Sequence, residues 1–212
     1  MTNPKVSILL PHLRSPENNK ALAVALDCLA TNTGVDYELI IEGVEERRDI
    51  YPVVNRMVKA ARCEWIVKTN SDVFFAPGWL EPMWEAREQN TIVAGVLVEP
   101  GAIGVSVQNI HLDFGMRPET FRRADFERFA RETRLFPDGR GWIWPSLHHR
   151  QTFLDMGGYD STHIQWPEPV DLDYWQRWEA AGKQFKRVRS YAFHLQNWSN
   201  SDEQVKPVRQ GR

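Results

Sequence analysis

The sequence predicts an α/β protein: a Rossmann-like, mostly parallel central sheet with helices on both faces. Over residues 6–98, short apolar runs alternate with segments whose apolar residues recur every three or four positions. That alternation is typical of strands joined by helices, which pair in parallel and have both faces covered. Some runs end abruptly in polar or acidic residues, as strands do where they meet a ligand crevice. The 212 residues are enough for one domain with a full core.

Four buried strands are predicted in the first half, each an apolar run: Val6–Leu10, Tyr37–Ile41, Glu64–Lys68 and Thr91–Val98. The first helix begins at Ser15-Pro16-Glu17, with serine as N-cap, proline at the first helical position and an acid in the first turn. Two further helices are predicted at Pro52–Ala61 and Trp79–Gln89, between the later strands.

The second half is less regular. Pro100–Arg117 is predicted to be a loop or short antiparallel strands, and Pro118–Arg134 a charged amphipathic helix or a mobile loop. Two more helices are predicted: Gln151–Met156, closed by Gly157-Gly158, and Val170–Ala181, closed by Gly182. A strand over Phe185–Phe193 follows, and residues 199–212 are predicted to be a polar tail.

Composition excludes some classes of protein. The net charge of −2 does not indicate a general binder of nucleic acid or of membrane surfaces. No apolar run approaches the ~20 residues of a spanning helix, and the polar N-terminus does not resemble a signal peptide, so we expect a cytoplasmic protein without a membrane anchor. Cys28 and Cys63 are expected to be buried apolar residues. Six of the nine tryptophans follow residue 141, which suggests an aromatic-lined pocket.

The polar cluster Asn70-Ser71-Asp72 follows the third predicted strand and precedes Pro77-Gly78-Trp79. Ligands of open α/β sheets bind at the carboxyl ends of strands. Side-chain oxygens placed there can bind a hard divalent cation, and such a cation can hold a diphosphate. The cluster therefore predicts a site for a cation and a diphosphate.

The order of these signals resembles family 2 glycosyltransferases of the GT-A fold. The matching features in the first half are a first strand ending in Pro11, an acid after the second strand (Glu42), an Asn in the next helix (Asn55) and an "NxD" form of the metal-binding motif (Asn70-Ser71-Asp72). Those in the second half are a Gly-Gly-aromatic-Asp turn (Gly157–Asp160), an acidic helix start at Asp171 with Arg177 and Gly182 after it, and a late histidine, His194. They span residues 6–198, and their order and spacing are more specific than any one of them.

The resemblance implies a single domain over 1–198, with a nucleotide-binding half (1–98) and an acceptor-binding half (99–198). It implies a UDP- or GDP-type sugar donor, and Mn²⁺ or Mg²⁺ bound by Asp72 and His194. The donor site would comprise Pro11, His12, Glu42, Asn55, Asn70, Ser71 and Asp72. Asp171 would be the general base, and the acceptor would meet Trp144, Trp166, Glu168 and Asp173. The acceptor itself stays open between a saccharide, a small molecule and a modified nucleobase.

Two departures from the family pattern keep alternatives open. Val170 stands where the family has a glutamate before its catalytic aspartate, and Asn70 replaces the first aspartate of the metal motif. A register that uses Glu168 as the missing acid displaces Arg177 and Gly182. A retaining transferase, a nucleotide-sugar hydrolase or a non-catalytic carbohydrate- or nucleotide-binding module therefore remain alternatives.

Several of these residues also have an ordinary structural interpretation. Asp72 could be a turn acid, His194 a structural histidine and Asp171 a helix cap. Arg14, Arg56 and Lys68 could bind a diphosphate, but solvated surface charges are the more common case. His148 and His149 could line the acceptor pocket or lie in a polar loop.

Overall fold

The structure, a computed structural model, describes residues 3–46, 49–101, 108–137, 145–160, 162 and 170–195. Its strands are β1 Val6–Leu13, β2 Tyr37–Val44, β3 Trp65–Lys68, β4 Val73–Phe75, β5 Thr91–Glu99, β6 Ile110–His111, β7 Ser146–His149 and β8 Gln184–His194. Its helices are α1 Pro16–Asn32, α2 Ile50–Ala60, α3 Leu80–Glu85, α4 Arg123–Glu132, α5 Arg150–Asp155 and α6 Val170–Ala180. A 3-10 turn over Pro118–Thr120 precedes α4.

All the strands belong to one sheet, in the order β2-β1-β3-β7-β5-β8-β4, with β6 beside β5. Only β7 and β4 run against the others in this described sheet, so the predicted mostly parallel sheet is confirmed. Strands that run in the same direction end at the same edge of the sheet. We call the edge at which β1, β2, β3, β5 and β8 end the carboxyl edge. The segment joining β3 to β4 also crosses it, because β4 starts where β8 ends.

Two strands, β4 and β7, were not predicted, and both run antiparallel to the other strands of the described sheet. β7 has the sequence Ser-Leu-His-His, which carries no apolar run, yet it lies between β3 and β5 and is buried. Each of its three polar side chains has at least one internal partner. Ser146 Oγ lies 2.8 Å from His148 Nε2, and His149 Nδ1 accepts a hydrogen bond from Thr152 N at 3.2 Å. A strand with buried polar side chains is not visible in the pattern of hydrophobic residues.

Two expectations about element type and length were wrong. The described part of Pro100–Arg117 is mostly loop, which was one of the two alternatives, but the short strand it contains, β6, pairs with β5 in parallel and not antiparallel. The third helix ends at Glu85 rather than Gln89, because the chain turns there: Thr91 N donates to Glu88 O at 3.0 Å, leading into β5. For Pro118–Arg134 the helical alternative is the observed one, from Arg123 onward.

Apolar side chains cover both faces of the sheet. Ile8 and Leu10 of β1 belong to the core on one face, and Leu9 to the core on the other. The first core includes Ala25 and Leu29 of α1, whose start is fixed as predicted: Ser15 Oγ accepts from Asn18 N at 3.0 Å, and Pro16 follows it. The second core receives α2, α5 and α6. Helices therefore lie on both faces, and the carboxyl edge stays available for polar groups.

Aromatic packing fixes α6 against the sheet. Trp175 stacks on Phe185 at a centroid distance of 4.5 Å, and Tyr174 lies 4.9 Å from Phe153. The Trp178 indole N–H donates to Gln184 O at 3.0 Å, at the start of β8. These contacts place the C-terminal part of α6 near the amino end of β8.

Candidate active site

Three polar side chains, Asp72, Glu99 and His194, meet at the carboxyl edge, and we call this group the corner. Backbone pairing of Val73 with His194, and donation from Leu195 N to Asp72 O at 3.1 Å, bring the start of β4 beside the end of β8. His194 Nε2 lies 3.5 Å from Asp72 Oδ2, and His194 Nδ1 lies 2.7 Å from Glu99 Oε1. Asp72 and Glu99 are both buried. The two predicted metal ligands are thus neighbours.

Electrostatics of this corner favour a positive charge between the two carboxylates. Burial alone would lower the pKa of His194, but Asp72 and Glu99 outweigh it and raise that pKa to about 10. Burial alone would raise the pKa of Glu99. Its hydrogen bonds to His194 and Asn109 and the charges nearby outweigh burial, so the pKa of Glu99 lies below its ordinary value. The corner therefore attracts a cation, whether a proton on the imidazole or a metal.

A divalent cation fits the donor set. Two ligand atoms, each about 2.1 Å from one cation and about 90–110° apart, lie roughly 3.0–3.5 Å from each other. The Asp72–His194 separation of 3.5 Å agrees with that range. An oxygen with an imidazole nitrogen suits Mn²⁺. Across the described ranges no group of three or more His, Cys, Asp or Glu side chains could hold an ion. The two side chains would leave most coordination positions to water and a diphosphate.

Lys68, which ends β3, forms a second polar group with Tyr159 and Asp171. Lys68 is only 4% exposed, and its ammonium nitrogen lies 5.3 Å from the ring centroid of Tyr159. Burial lowers the pKa of Lys68 well below its ordinary value, and the Asp171 carboxylate partly offsets this. Asp171, half-buried in the first turn of α6, is therefore near the buried Lys68 side chain. The interpretation of Lys68 as a solvated surface charge is wrong.

His148 lies beneath this group and does not carry charge at neutral pH. Burial, with the Lys68 ammonium adding to it, lowers the pKa of His148 to about 3. Since β7 places His148 inside the sheet, the polar-loop interpretation of His148 and His149 is also wrong. The imidazole supports the sheet beneath the second polar group.

The Gly157-Gly158-Tyr159 turn is held from two sides. Asn55 Nδ2 donates to Tyr159 O at 2.8 Å, and Tyr159 N donates to Asn55 Oδ1 at 3.0 Å. Arg177 Nη2 donates to Gly158 O at 2.7 Å, while its Nε donates to Asp173 Oδ2 at 2.9 Å. Asn55 and Asp173, predicted to meet donor and acceptor, thus have protein partners, and their contacts with ligands stay predictions. A cleft of about 420 Å³ opens here, lined by Asn55, Gly157, Tyr159, Asp160 and Arg177.

The predicted nucleotide side lies at the ends of β1 and β2, which are longer than predicted. Pro11 pairs with Glu42 across the two strands. His12 is buried, with Nε2 2.8 Å from Asn19 Oδ1. The Glu42 carboxylate accepts from Arg56 Nε at 3.1 Å, and Arg14 pairs with Glu45 at 2.7 Å. Both arginines are well exposed.

The remaining predicted residues are distributed as follows. Asn70 and Ser71 share one turn with Asp72, which is closed by donation from Val73 N to Asn70 O at 3.3 Å, and Ser71 is buried. Trp144, Trp166 and Glu168 lie outside the described residues. A second cavity, of about 400 Å³ beside Lys5 and Trp84, lies at the opposite edge of the sheet and contains none of the predicted site residues.

One residue of the corner, Glu99, was missed by the sequence analysis. The sequence signal was present, because Glu99 follows the apolar run Thr91–Val98 as Asp72 follows an apolar run. Pro100 and the glycines beyond it are typical of a loop, so the acid before them has the pattern of an ordinary loop residue.

Neither a protein-family model nor a curated protein sequence matches the chain. Among solved structures, the chain is similar to a mutant of Drosophila β-1,4-galactosyltransferase 7 in complex with manganese, UDP-galactose and xylobiose. The TM-score is 0.56 and the identity 16%, over 97% of this chain and 77% of that one. In the described part of the chain no helix has the length and apolarity needed to cross a membrane. The likeness establishes the architecture: this chain has the mixed α/β fold of GT-A glycosyltransferases.

Proposed function

We propose that the protein is a metal-dependent glycosyltransferase that moves a sugar from a nucleotide-diphosphate sugar to an acceptor hydroxyl. The observation that carries the proposal is the meeting of Asp72 and His194 at the carboxyl edge of a GT-A fold, 3.5 Å apart. A sparse oxygen-and-nitrogen site at that edge suits a cation that also binds the diphosphate of a donor.

Asp72 and His194 would hold Mn²⁺ or Mg²⁺, which when bound supplies a Lewis acid for the departing diphosphate. Asn70 and Ser71 would contact the phosphates from the adjoining turn. Pro11, His12 and Glu42 would surround the nucleoside at the ends of β1 and β2. The UDP-galactose in the Drosophila complex supports a UDP-type donor, with a GDP-type donor as the alternative.

Asp171 would act as the general base of an inverting displacement. The acceptor oxygen attacks the anomeric carbon, the bond from that carbon to the diphosphate oxygen breaks, and the hydroxyl proton passes to the Asp171 carboxylate. Asp171 lies in the first turn of α6, close to the buried Lys68 side chain. Xylobiose in the Drosophila complex supports a saccharide acceptor, which would meet Trp144, Trp166, Glu168 and Asp173.

The base assignment is tested by Asp171→Asn. We expect turnover of the true donor and acceptor to fall by about 10²–10⁴-fold, the usual contribution of a general base. The affinity for the nucleoside diphosphate, measured by calorimetry with Mn²⁺, should stay within about twofold. Asp155→Asn is a matched control, because Asp155 is an exposed aspartate that ends α5. Unchanged turnover in Asp171→Asn would contradict the assignment.

A retaining transferase or a nucleotide-sugar hydrolase is the second candidate, and Val170 favours it. Val170 is 5% exposed and packs in the core beneath α6, so the acid that precedes the catalytic aspartate in the resembled family has no equivalent at this position. NMR of the product anomer separates inversion from retention, and release of free sugar without acceptor indicates hydrolysis. A non-catalytic binding module would bind donor without any turnover.

A further inference from the structure

Glu99 ends β5 at the carboxyl edge, and both of its carboxylate oxygens are engaged. Oε1 lies 2.7 Å from His194 Nδ1, and Oε2 accepts from Asn109 Nδ2 at 2.6 Å. The residue is 6% exposed. A buried carboxylate with a partner on each oxygen is held in one orientation and has little freedom to turn toward another group.

The hydrogen bond to Glu99 determines which nitrogen of His194 is available. When Nδ1–H donates to Glu99, the neutral ring presents the lone pair of Nε2, and Nε2 is the nitrogen that faces Asp72. A histidine binds a metal through its unprotonated nitrogen, and a carboxylate on the other nitrogen fixes both the tautomer and the ring orientation.

The backbone supports the same arrangement. β5 and β8 pair in parallel, with Val98 beside Phe193. The next residue of each strand, Glu99 and His194, therefore lies at the same level of the sheet. β6 pairs with the end of β5, and Asn109 immediately precedes it. The residue before β6 and the ends of β5 and β8 thus supply Asn109, Glu99 and His194, which are connected by hydrogen bonds.

We propose that Glu99 is a positioning residue: it holds His194 in the tautomer and ring orientation that place Nε2 and Asp72 on one divalent cation. This inference rests on the proposed function, because it assumes that Asp72 and His194 bind the cation. It assigns Glu99 no contact with donor or acceptor.

The test is Mn²⁺ binding to the full chain with UDP present, followed by the EPR signal of the free ion. We expect Glu99→Gln to weaken Mn²⁺ binding by about 10–100-fold, the usual effect of losing such a partner. Asn109→Ala should weaken it less, and this variant serves if Glu99→Gln does not fold. Glu64→Gln is the control and should have no effect, because Glu64 is an exposed glutamate that lies 3.4 Å from His149 at the opposite edge.

Metal preference separates positioning from a general structural role. Imidazole nitrogen favours Mn²⁺ over Mg²⁺, so Glu99→Gln should lose more affinity for Mn²⁺ than for Mg²⁺. Equal losses for both ions would overturn the positioning role. Wild-type Mn²⁺ affinity in Glu99→Gln, with binding abolished in His194→Ala, would overturn it while leaving the metal site intact. Wild-type Mn²⁺ affinity in His194→Ala would overturn the metal site and the inference together.

Discussion

At the scale of single residues, the site depends on charges that are buried and paired. His194 between Asp72 and Glu99 is the clearest case, since its pKa in the folded protein is about 10 against an ordinary value of 6.5. The folded state binds the proton more tightly than the unfolded chain does. Protonated His194 therefore contributes stability that is fully present below pH 6.5 and is lost as the pH rises through 10.

We expect this contribution to appear as a difference between wild type and His194→Gln in a metal chelator. The difference in free energy of unfolding should be largest near pH 6 and should shrink as the pH rises to 10. Each pH unit within that window is worth up to about 1.4 kcal/mol. Urea unfolding followed by circular dichroism measures it. A difference that does not change from pH 6 to pH 10 would contradict the coupling of His194 to its two carboxylates.

Sequence reasoning found Asp72 and His194 because each stands where an apolar run stops, and because the family resemblance gave that position a meaning. Lys68 was misjudged for a physical reason. A lone lysine is almost always exposed, and only the tertiary structure shows the Tyr51 and Tyr159 rings beside its ammonium. The meeting of Glu99 with His194 depends on β5 pairing with β8, a contact between strands far apart in the chain.

At the scale of elements, the turn after α5 has to adopt one conformation to present Tyr159. Gly157 and Gly158 have φ values of +80° and +65°, a region that suits glycine. They differ in their surroundings. A Cβ on Gly158 would come within 2.5 Å of Asn55 Oδ1, whereas a Cβ on Gly157 would meet no atom within 4 Å.

The two glycines therefore make a matched pair of variants. Gly157→Ala should cost about 1–2 kcal/mol of stability, from the backbone conformation alone. Gly158→Ala should cost more, because it also displaces the Asn55 side chain that bonds to Tyr159. Chemical unfolding measures both, and equal losses would contradict the close packing of Asn55 against this turn.

Most individual elements could be predicted from periodicity and capping, including α1 with Ser15 and Pro16 and the long strands β5 and β8. β4 and β7 could not. β4 has three residues, which is too short for a period to show, and β7 has three polar residues of four. Its place between β3 and β5 is determined by pairing with strands from the first half, which local sequence does not encode.

At the scale of the molecule, that placement of β7 joins the two predicted halves. A strand from the second half pairs on both sides with strands from the first. The described sheet is thus continuous across the predicted boundary at residue 98, and we expect 1–198 to unfold as one unit.

Leu147→Ala tests this expectation. Leu147 is fully buried in β7, so the substitution should cost about 2–5 kcal/mol. Tryptophan fluorescence and far-UV circular dichroism should report one coincident transition, moved to lower urea. Two separate transitions would show that the halves unfold independently.

Ligand binding should stabilise the whole molecule if the proposed site is correct. UDP with Mn²⁺ at one hundred times its dissociation constant should add about 2.7 kcal/mol to the free energy of unfolding. A thermal-shift screen of UDP, GDP and their sugars, with and without Mn²⁺, measures this and identifies the nucleobase. Asp72→Asn should lose the Mn²⁺-dependent part of the shift. A shift of wild-type size in that variant would place the diphosphate elsewhere.

The position of β2 at the outside of the sheet has a consequence for self-association. In the described part of the chain β2 pairs only with β1, so its other side offers unpaired backbone groups to any extended chain. Ile41 in this strand is 43% exposed. Glu42 and Arg56, which form an ion pair, set exposed charges beside the same strand. These charges oppose strand addition by a second molecule, and replacing Glu42 and Arg56 by neutral residues would make the protein more prone to aggregate.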